Sequence, residues 1–364
     1  MKEINENDLG RKFDVLLRDL LARVPFLELR DLKTENSFPS AGSNGRPDRL
    51  AQIRAKGRSW TLAVEFRRHG HPRDVRIAAL QLKHFLEQSP GRQPQYGVIV
   101  APFISEESAR VCAEAGVGYA DLAGNAHLSF DQVFIETRSA ENPFKERREV
   151  RSLFAPKAAR VLRSVLQAPL HAWKVVDLAR DARVSLGWVS AVRKQLLARE
   201  WAVNESAGLR VTKPEAMLDA WVKADDWEKR TTTREYSVLS SDPTDLATKL
   251  QTLVGEQSLA FTQWFAGWLR HPYTVPTIVT AYVTTFPDES VVAEKLLARP
   301  VTSGGGLRLV VPKNDGVLHP SQSARGFNLV SDVQIYLDLQ QAGLRGDEQA
   351  EELRKWPDFA GGWK

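Results

Sequence analysis

Asp48 and Glu65 are the two carboxylates whose setting could do chemistry. Pro47-Asp48 leads into one strand-like run, and Val64-Glu65-Phe66-Arg67 closes the next. Carboxylates on neighbouring strands can hold Mg²⁺, because a hard cation takes oxygen ligands. Such an ion can turn a bound water into the nucleophile that cuts a phosphodiester. Strand alternation puts Glu65 and Arg67 on the same face. Arg67 stays protonated and cannot act as a base. Arg67 turns the expectation the other way, to no catalysis, no resident metal and no cofactor.

Other chemistries find less support. His69 and His71 have no second cluster at metal-ligand spacing to join them. Gly304-Gly305-Gly306 lacks the lysine and the serine or threonine of a phosphate loop, and no Gly-x-Ser-x-Gly is present. The one cysteine, Cys112, excludes an intrachain disulfide and a multi-cysteine zinc site. The polar amino terminus has no signal-peptide core behind it, and no window has the apolar length of a membrane span. A cytoplasmic chain is the expectation.

Charge is unevenly spread. Residues 1–150 hold 23 Lys and Arg against 21 Asp and Glu, residues 151–215 hold 12 against 5, and residues 216–364 hold 15 against 19. The shortest segment therefore carries a surplus of seven positive charges, the footprint of a nucleic-acid contact.

At 364 residues the chain exceeds one ordinary core, and its apolar periodicity places the elements. Residues 8–23, 73–87 and 105–115 have helical spacing, whereas 60–67, 96–101, 117–121 and 126–130 read as strands, an α/β domain over 1–145. Ser105 suits a helix N-cap, followed by Glu106 and Glu107 in the first turn. The run 139–150 is the first expected boundary. Residues 155–166, 173–182 and 185–199 are expected helices, followed by strands 201–204 and 208–211, so that 152–213 reads as a winged helix-turn-helix. A second boundary falls near 212–214. The remainder, 214–364, mixes strands (236–239, 277–284, 307–311) with helices (244–254, 260–268, 290–297, 331–342) and is an α+β domain.

The helix 185–199 carries the binding argument. Val189, Val192, Leu196 and Leu197 share one side. Gly187, Ala191, Lys194 and Ala198 take the other, flanked by Trp188, Ser190 and Gln195. A slim polar face can enter the major groove. Lys194 and Gln195 could reach phosphates or base edges, and Ser185 stands where a helix amino terminus could meet a phosphate. Arg183, Arg193 and Arg199 could pair with the backbone, and Arg210 on the hairpin with the neighbouring groove. Such contacts make affinity salt-dependent without reading sequence. A small module of this kind can also serve protein docking, which leaves a scaffold without a DNA role as the alternative.

Two resemblances add to this reading. The order of Asp48, Glu65 and Arg67 on successive strands, followed by a helix, resembles the PD-(D/E)xK restriction-endonuclease-like fold over about residues 8–138. For a nuclease, the resemblance implies a catalytic set of Asp48, Glu65 and Arg67, with the metal on Asp48 and Glu65. The family's lysine, which can lower its pKa and help to activate water, is replaced here by Arg67. From about Ala155 onward the chain resembles the AbiEi-type antitoxins of type IV toxin–antitoxin systems. That likeness rests on Trp173-Lys174-Val175-Val176-Asp177-Leu178-Ala179, Ser185-Leu186-Gly187-Trp188-Val189-Ser190, Phe261-Thr262-Gln263-Trp264-Phe265-Ala266-Gly267 and the closing run Leu329 to Leu339. It implies a winged-helix transcriptional repressor of its own operon, with a nucleotidyltransferase toxin as partner. Double-stranded DNA is the expected partner from both directions, with no membrane, and a palindromic operator would imply a homodimer. The combined expectation is a multidomain α/β and α+β protein, a DNA-binding regulator and not an enzyme. The alternative is a Mg²⁺-dependent nuclease targeted by its winged helix.

Overall fold

The structure is a computed structural model that describes residues 6–22, 24, 26–34, 46–55, 57–88, 93–138, 153–240, 242–343 and 345–363. The chain is mixed α/β and falls into two compact units, residues 1–146 with 198–200, and 147–197 with 201–364. The boundary expected at 139–150 lies outside the described residues. No helix among those described is long and apolar enough to cross a membrane.

In the first unit, α1 (Glu6–Ala22) buries Phe13, Leu17, Leu20 and Leu21, the spacing of one helical face. Then follow β1 (Leu27–Thr34), β2 (Arg49–Ala55), β3 (Arg58–Phe66), α2 (Pro72–Gln88), β4 (Gln95–Ala101), α3 (Glu106–Ala115), β5 (Gly118–Asp121), β6 (Ala126–Phe130) and β7 (Val133–Thr137). The seven strands lie in chain order in one sheet, parallel from β3 to β5 and antiparallel on both flanks. Side-chain alternation in β3 divides the core. Leu62, Val64 and Phe66 pack with α1, while Ala63 joins the cluster of α2 and α3. Helices cover both faces, so β3 and β4 end in wholly buried runs. Ser105 caps α3, its Oγ accepting from Ser108 N–H at 3.2 Å, and left-handed Gly116 closes that helix.

The second unit begins with α4 (Pro156–Gln167), α5 (Val175–Asp181) and α6 (Leu186–Ala198), followed by the hairpin β8 (Ala202–Glu205) and β9 (Gly208–Val211). Residues 173–182 were expected to be one helix, but α5 starts only at Val175. Trp173 is instead bridged to Leu209 by two backbone hydrogen bonds of 2.8 Å. Gly208 permits this bridge, since a Cβ there would stand 2.4 Å from the Trp173 carbonyl oxygen at a φ of +146°.

There follow α7 (Pro214–Ala224), α8 (Trp227–Arg230), β10 (Thr231–Val238), α9 (Pro243–Val254), β11 (Leu259–Thr262), α10 (Gln263–Arg270), β12 (Val279–Val283), α11 (Glu289–Leu296), β13 (Ala298–Val301), β14 (Leu307–Pro312), β15 (Ser321–Ala324), β16 (Phe327–Val330), α12 (Asp332–Gln340) and α13 (Gly346–Lys355). The second sheet has the order β13-β10-β14-β12-β11-β16-β15, with β12/β14 and β11/β16 parallel and the other pairs antiparallel. Residues 260–268, expected to be one helix, split into strand β11 and helix α10. Both pieces are buried apolar runs, which periodicity cannot tell apart. The boundary expected near 212–214 does not separate two cores either. One hydrophobic cluster runs from Leu153 to Ala360 across it.

That cluster is threaded by charge. Helix α12 is buried at every position from Asp332 to Leu339. Asp338 accepts from Arg230 Nη2 at 2.7 Å, from Gln334 Nε2 at 2.6 Å and from the Thr262 hydroxyl. Arg230 also grips Asp225 with Nε and Nη2, both at 2.9 Å, and donates to the Tyr282 hydroxyl at 2.7 Å. Arg163 of α4 is buried as well, stacks over Trp221 at 5.2 Å and donates to Gln334 Oε1 at 2.8 Å. Asp332 takes two bonds from Arg270, at 2.7 and 3.0 Å. Removing one member of such a network strands buried charge, so Asp338→Ala is expected to lower the unfolding free energy by about 3–5 kcal/mol. Urea unfolding followed by tryptophan emission checks this, because nine of the ten tryptophans lie beyond residue 150. A loss below about 1 kcal/mol would mean that Asp338 is not what holds the network together.

Candidate functional site

Two groups of side chains merit description, one in each unit. In the first unit, β2 and β3 pair with Arg49 opposite Val64, which sets Asp48 beside the end of β3. Asp48 Oδ2 accepts from Phe66 N–H at 2.6 Å. Glu65 is buried, 8% exposed, so it is not a surface group. Arg67 follows it and donates through Nη1 to Glu65 Oε1 at 2.8 Å and to the Phe66 carbonyl at 2.7 Å, while Nη2 bonds Gln81 of α2. The structure thus brings Asp48, Glu65 and Arg67 together, and adds Gln81, which no spacing rule pointed to. Burial, and then the neighbouring Asp48 charge, push the Glu65 carboxyl up to about 7 against the pull of Arg67.

A divalent cation fits this arrangement poorly. The described residues contain no group of three or more His, Cys, Asp or Glu side chains able to hold a metal. The positive charge beside Glu65 is already supplied by a guanidinium bonded to its carboxylate, and a guanidinium has no lone pair with which to take a proton. His69 and His71 stack on each other at 5.6 Å, and among the described residues no third His, Cys, Asp or Glu joins them to hold a metal.

In the second unit, α6 sorts its residues by side. Val189, Val192 and Leu196 enter the core. Gly187, Ser190, Ala191 and Lys194 are exposed at helical spacings of three, four and seven from Gly187, and Lys194 is the one long side chain among them. Ser185 is exposed at the helix start, while Trp188 and Gln195 are half-buried along its flanks. Arg193 is half-buried and donates through Nε to Asn204 Oδ1 of β8 at 3.0 Å, which ties the helix to the hairpin. Arg199 is half-buried in the turn after α6. Arg210 is held within the hairpin, where Nε donates to Glu205 Oε1 at 2.6 Å. Arg183 occupies the tight turn between α5 and α6 at a φ of +52°, with Nη1 2.9 Å from His319 Nε2.

Of the expected contact residues, Ser185, Gly187, Ser190, Ala191 and Lys194 therefore form the open face, with Arg183 at its amino-terminal end. Arg193 and Arg210 are engaged in local hydrogen bonds that a phosphate would have to share or displace. The sequence reading passed over Lys157 and Arg160, one helical turn apart on α4, and Arg180 on α5, which surround the amino terminus of α6. Their i, i+3 spacing on a basic helix was the signal that could have found them.

No protein-family model, curated protein or solved structure matches this chain.

The Glu65 carboxyl makes a pH profile informative. Its value is about 7 in the folded chain against an ordinary 4.5, so the folded state holds a proton that the unfolded state has released. Its contribution to stability is complete below about pH 4.5, falls as pH rises, and is gone above about 7. Glu65→Gln is expected to flatten the stability profile over that window by up to about 3 kcal/mol, measured by urea unfolding at pH 4.5, 6 and 8. A variant profile parallel to that of the parent would show that Glu65 titrates as an ordinary carboxylate.

Proposed function

We propose that this chain is a DNA-binding transcriptional regulator, with α4, α5, α6 and the β8–β9 hairpin acting as a winged helix-turn-helix. The element order is that of such a module, and the Trp173–Leu209 bridge would serve as its minimal third strand. The observation that carries the reading is the α6 face of Gly187, Ser190, Ala191 and Lys194, small and polar, within the most basic segment of the chain. A helix with such a face can lie in the major groove without clash, and exposed Lys194 would reach base edges or phosphates, whereas Gln195 keeps its side-chain oxygen buried. Arg183 and Ser185 at its amino terminus, Arg193 along it and Arg199 in the turn after it would hold the backbone. Arg210 would follow the adjoining groove once released from Glu205.

The resemblance to AbiEi-type antitoxins extends the reading to autorepression of an operon that encodes a nucleotidyltransferase partner. The first unit, read as restriction-endonuclease-like, would then serve as a body for docking or dimerisation and not as a nuclease, because Arg67 occupies the position where lysine chemistry is needed.

A gel-shift titration with the DNA upstream of the chain's own gene, with and without Mg²⁺, tests this. A complex that weakens steeply with salt is expected, weakened at least tenfold by Arg193→Ala/Lys194→Ala, with the DNA left intact. Metal-dependent cleavage lost in Glu65→Ala would replace this reading with a nuclease. Absence of a shift at any salt concentration would favour a protein-docking scaffold.

A further inference from the structure

A cavity of about 420 Å³ opens beside the amino terminus of α6, lined by Lys157, Arg160, Ala179, Arg180, Arg183, Val184, Ser185, Trp188 and Asn314. Four cations come from α4, α5 and the α5–α6 turn. Asn314, from the loop after β14, also lines it. The size is that of a small-ligand site, though six of its nine lining residues are polar or charged.

The charges around it do not cancel. Arg160 pairs with exposed Asp315 at 2.5 Å, and Arg180 with Asp177 at 3.6 Å, so four cations face two carboxylates. A surplus of two positive charges matches a phosphate monoester, which carries about −1.5 to −2 at neutral pH. His319, 2.9 Å from Arg183, adds no negative charge, and burial and the Arg183 charge hold its pKa below the ordinary value. Trp188 supplies what an inorganic anion would not need, a half-buried aromatic wall with the Lys157 ammonium 6.0 Å from its ring centroid. Planar bases stack on such rings.

We propose that this cavity binds a nucleoside monophosphate, its phosphate held by Arg160, Arg180 and Arg183 and its base against Trp188. Arg183 and Ser185 also belong to the DNA face proposed above, and Trp188 flanks it. Occupancy therefore opposes DNA binding, a consequence that rests on that reading, whereas the pocket itself does not.

Calorimetric titration of the full chain with AMP, GMP, UMP and CMP, with adenosine and inorganic phosphate as controls, tests it. At least one mononucleotide is expected to saturate below 1 mM. Adenosine and phosphate should bind at least tenfold more weakly, and Lys157→Ala/Arg180→Ala should lose at least tenfold while keeping the parent's urea midpoint. Saturating mononucleotide should weaken the gel-shift complex at least fivefold. Adenosine binding as tightly as AMP, or no mononucleotide binding up to 5 mM, overturns the proposal. In the second case, a weaker DNA complex and a shallower salt slope in Lys157→Ala/Arg180→Ala would assign the same cations to backbone phosphates of duplex DNA. Failure of the parent chain to shift any DNA would remove the regulator reading alone, and the titration would still decide the pocket.

Discussion

The buried carboxylates of α12 constrain the second unit more than any other feature. A helix buried on all sides must satisfy its polar groups from within, and Asp332 and Asp338 do so by drawing arginines inward from α10 and α8. Asp338 also reaches through Gln334 to Arg163 on α4. The central helix, the sheet and the first of the three helices bearing the basic face thus share one connected set of hydrogen bonds. Such a network tolerates little rearrangement, because each partner removed leaves a desolvated charge behind. The basic helices are accordingly part of a larger core and not a module on a tether.

This matters for what the basic segment can do. Its surplus charge lies on α4, α5 and α6 and the turns between them, while the apolar sides of those helices are committed to the common core. What remains outside is a slim helical face, with a cationic cavity at its amino-terminal end. The loop after β14 helps to line that cavity, so the large sheet contributes to a feature that the three helices could not build alone.

The first unit poses the opposite case. Two carboxylates stand together at the end of β3, the setting in which a cation would ordinarily offset their repulsion. Here a guanidinium from the same strand end does so, helped by two backbone N–H groups, those of Phe66 on Asp48 and of Asp48 on Glu65. A permanently charged partner is a static solution, since it neither exchanges nor takes up protons at neutral pH. Glu65 is left as the group that can titrate.

Much of this was legible in the sequence where the physics is local. The amphipathic spacing of α1 and the division of α6 into an apolar side and a small polar side follow from helical period. The Ser105 cap and the buried run of β4 follow from side-chain chemistry and strand length, and the excess charge of residues 151–215 from composition alone. The motif Asp48–Glu65–Arg67 was visible as well, because strand alternation is local geometry. Tertiary structure alone decided the rest. Leu259–Thr262 became a strand and Gln263–Arg270 a helix because β12 and β16 were there to pair with the first piece. Trp173 left its expected helix because Leu209 offered two backbone hydrogen bonds. Gln81 met Arg67, Gln334 met Arg163, and Asn314 came to line a cavity begun at Lys157, across 14, 171 and 157 positions of chain. Periodicity reports only which side of an element is apolar. Which distant side chains then share a buried polar environment is set by how those apolar sides pack, and no window of sequence contains that information.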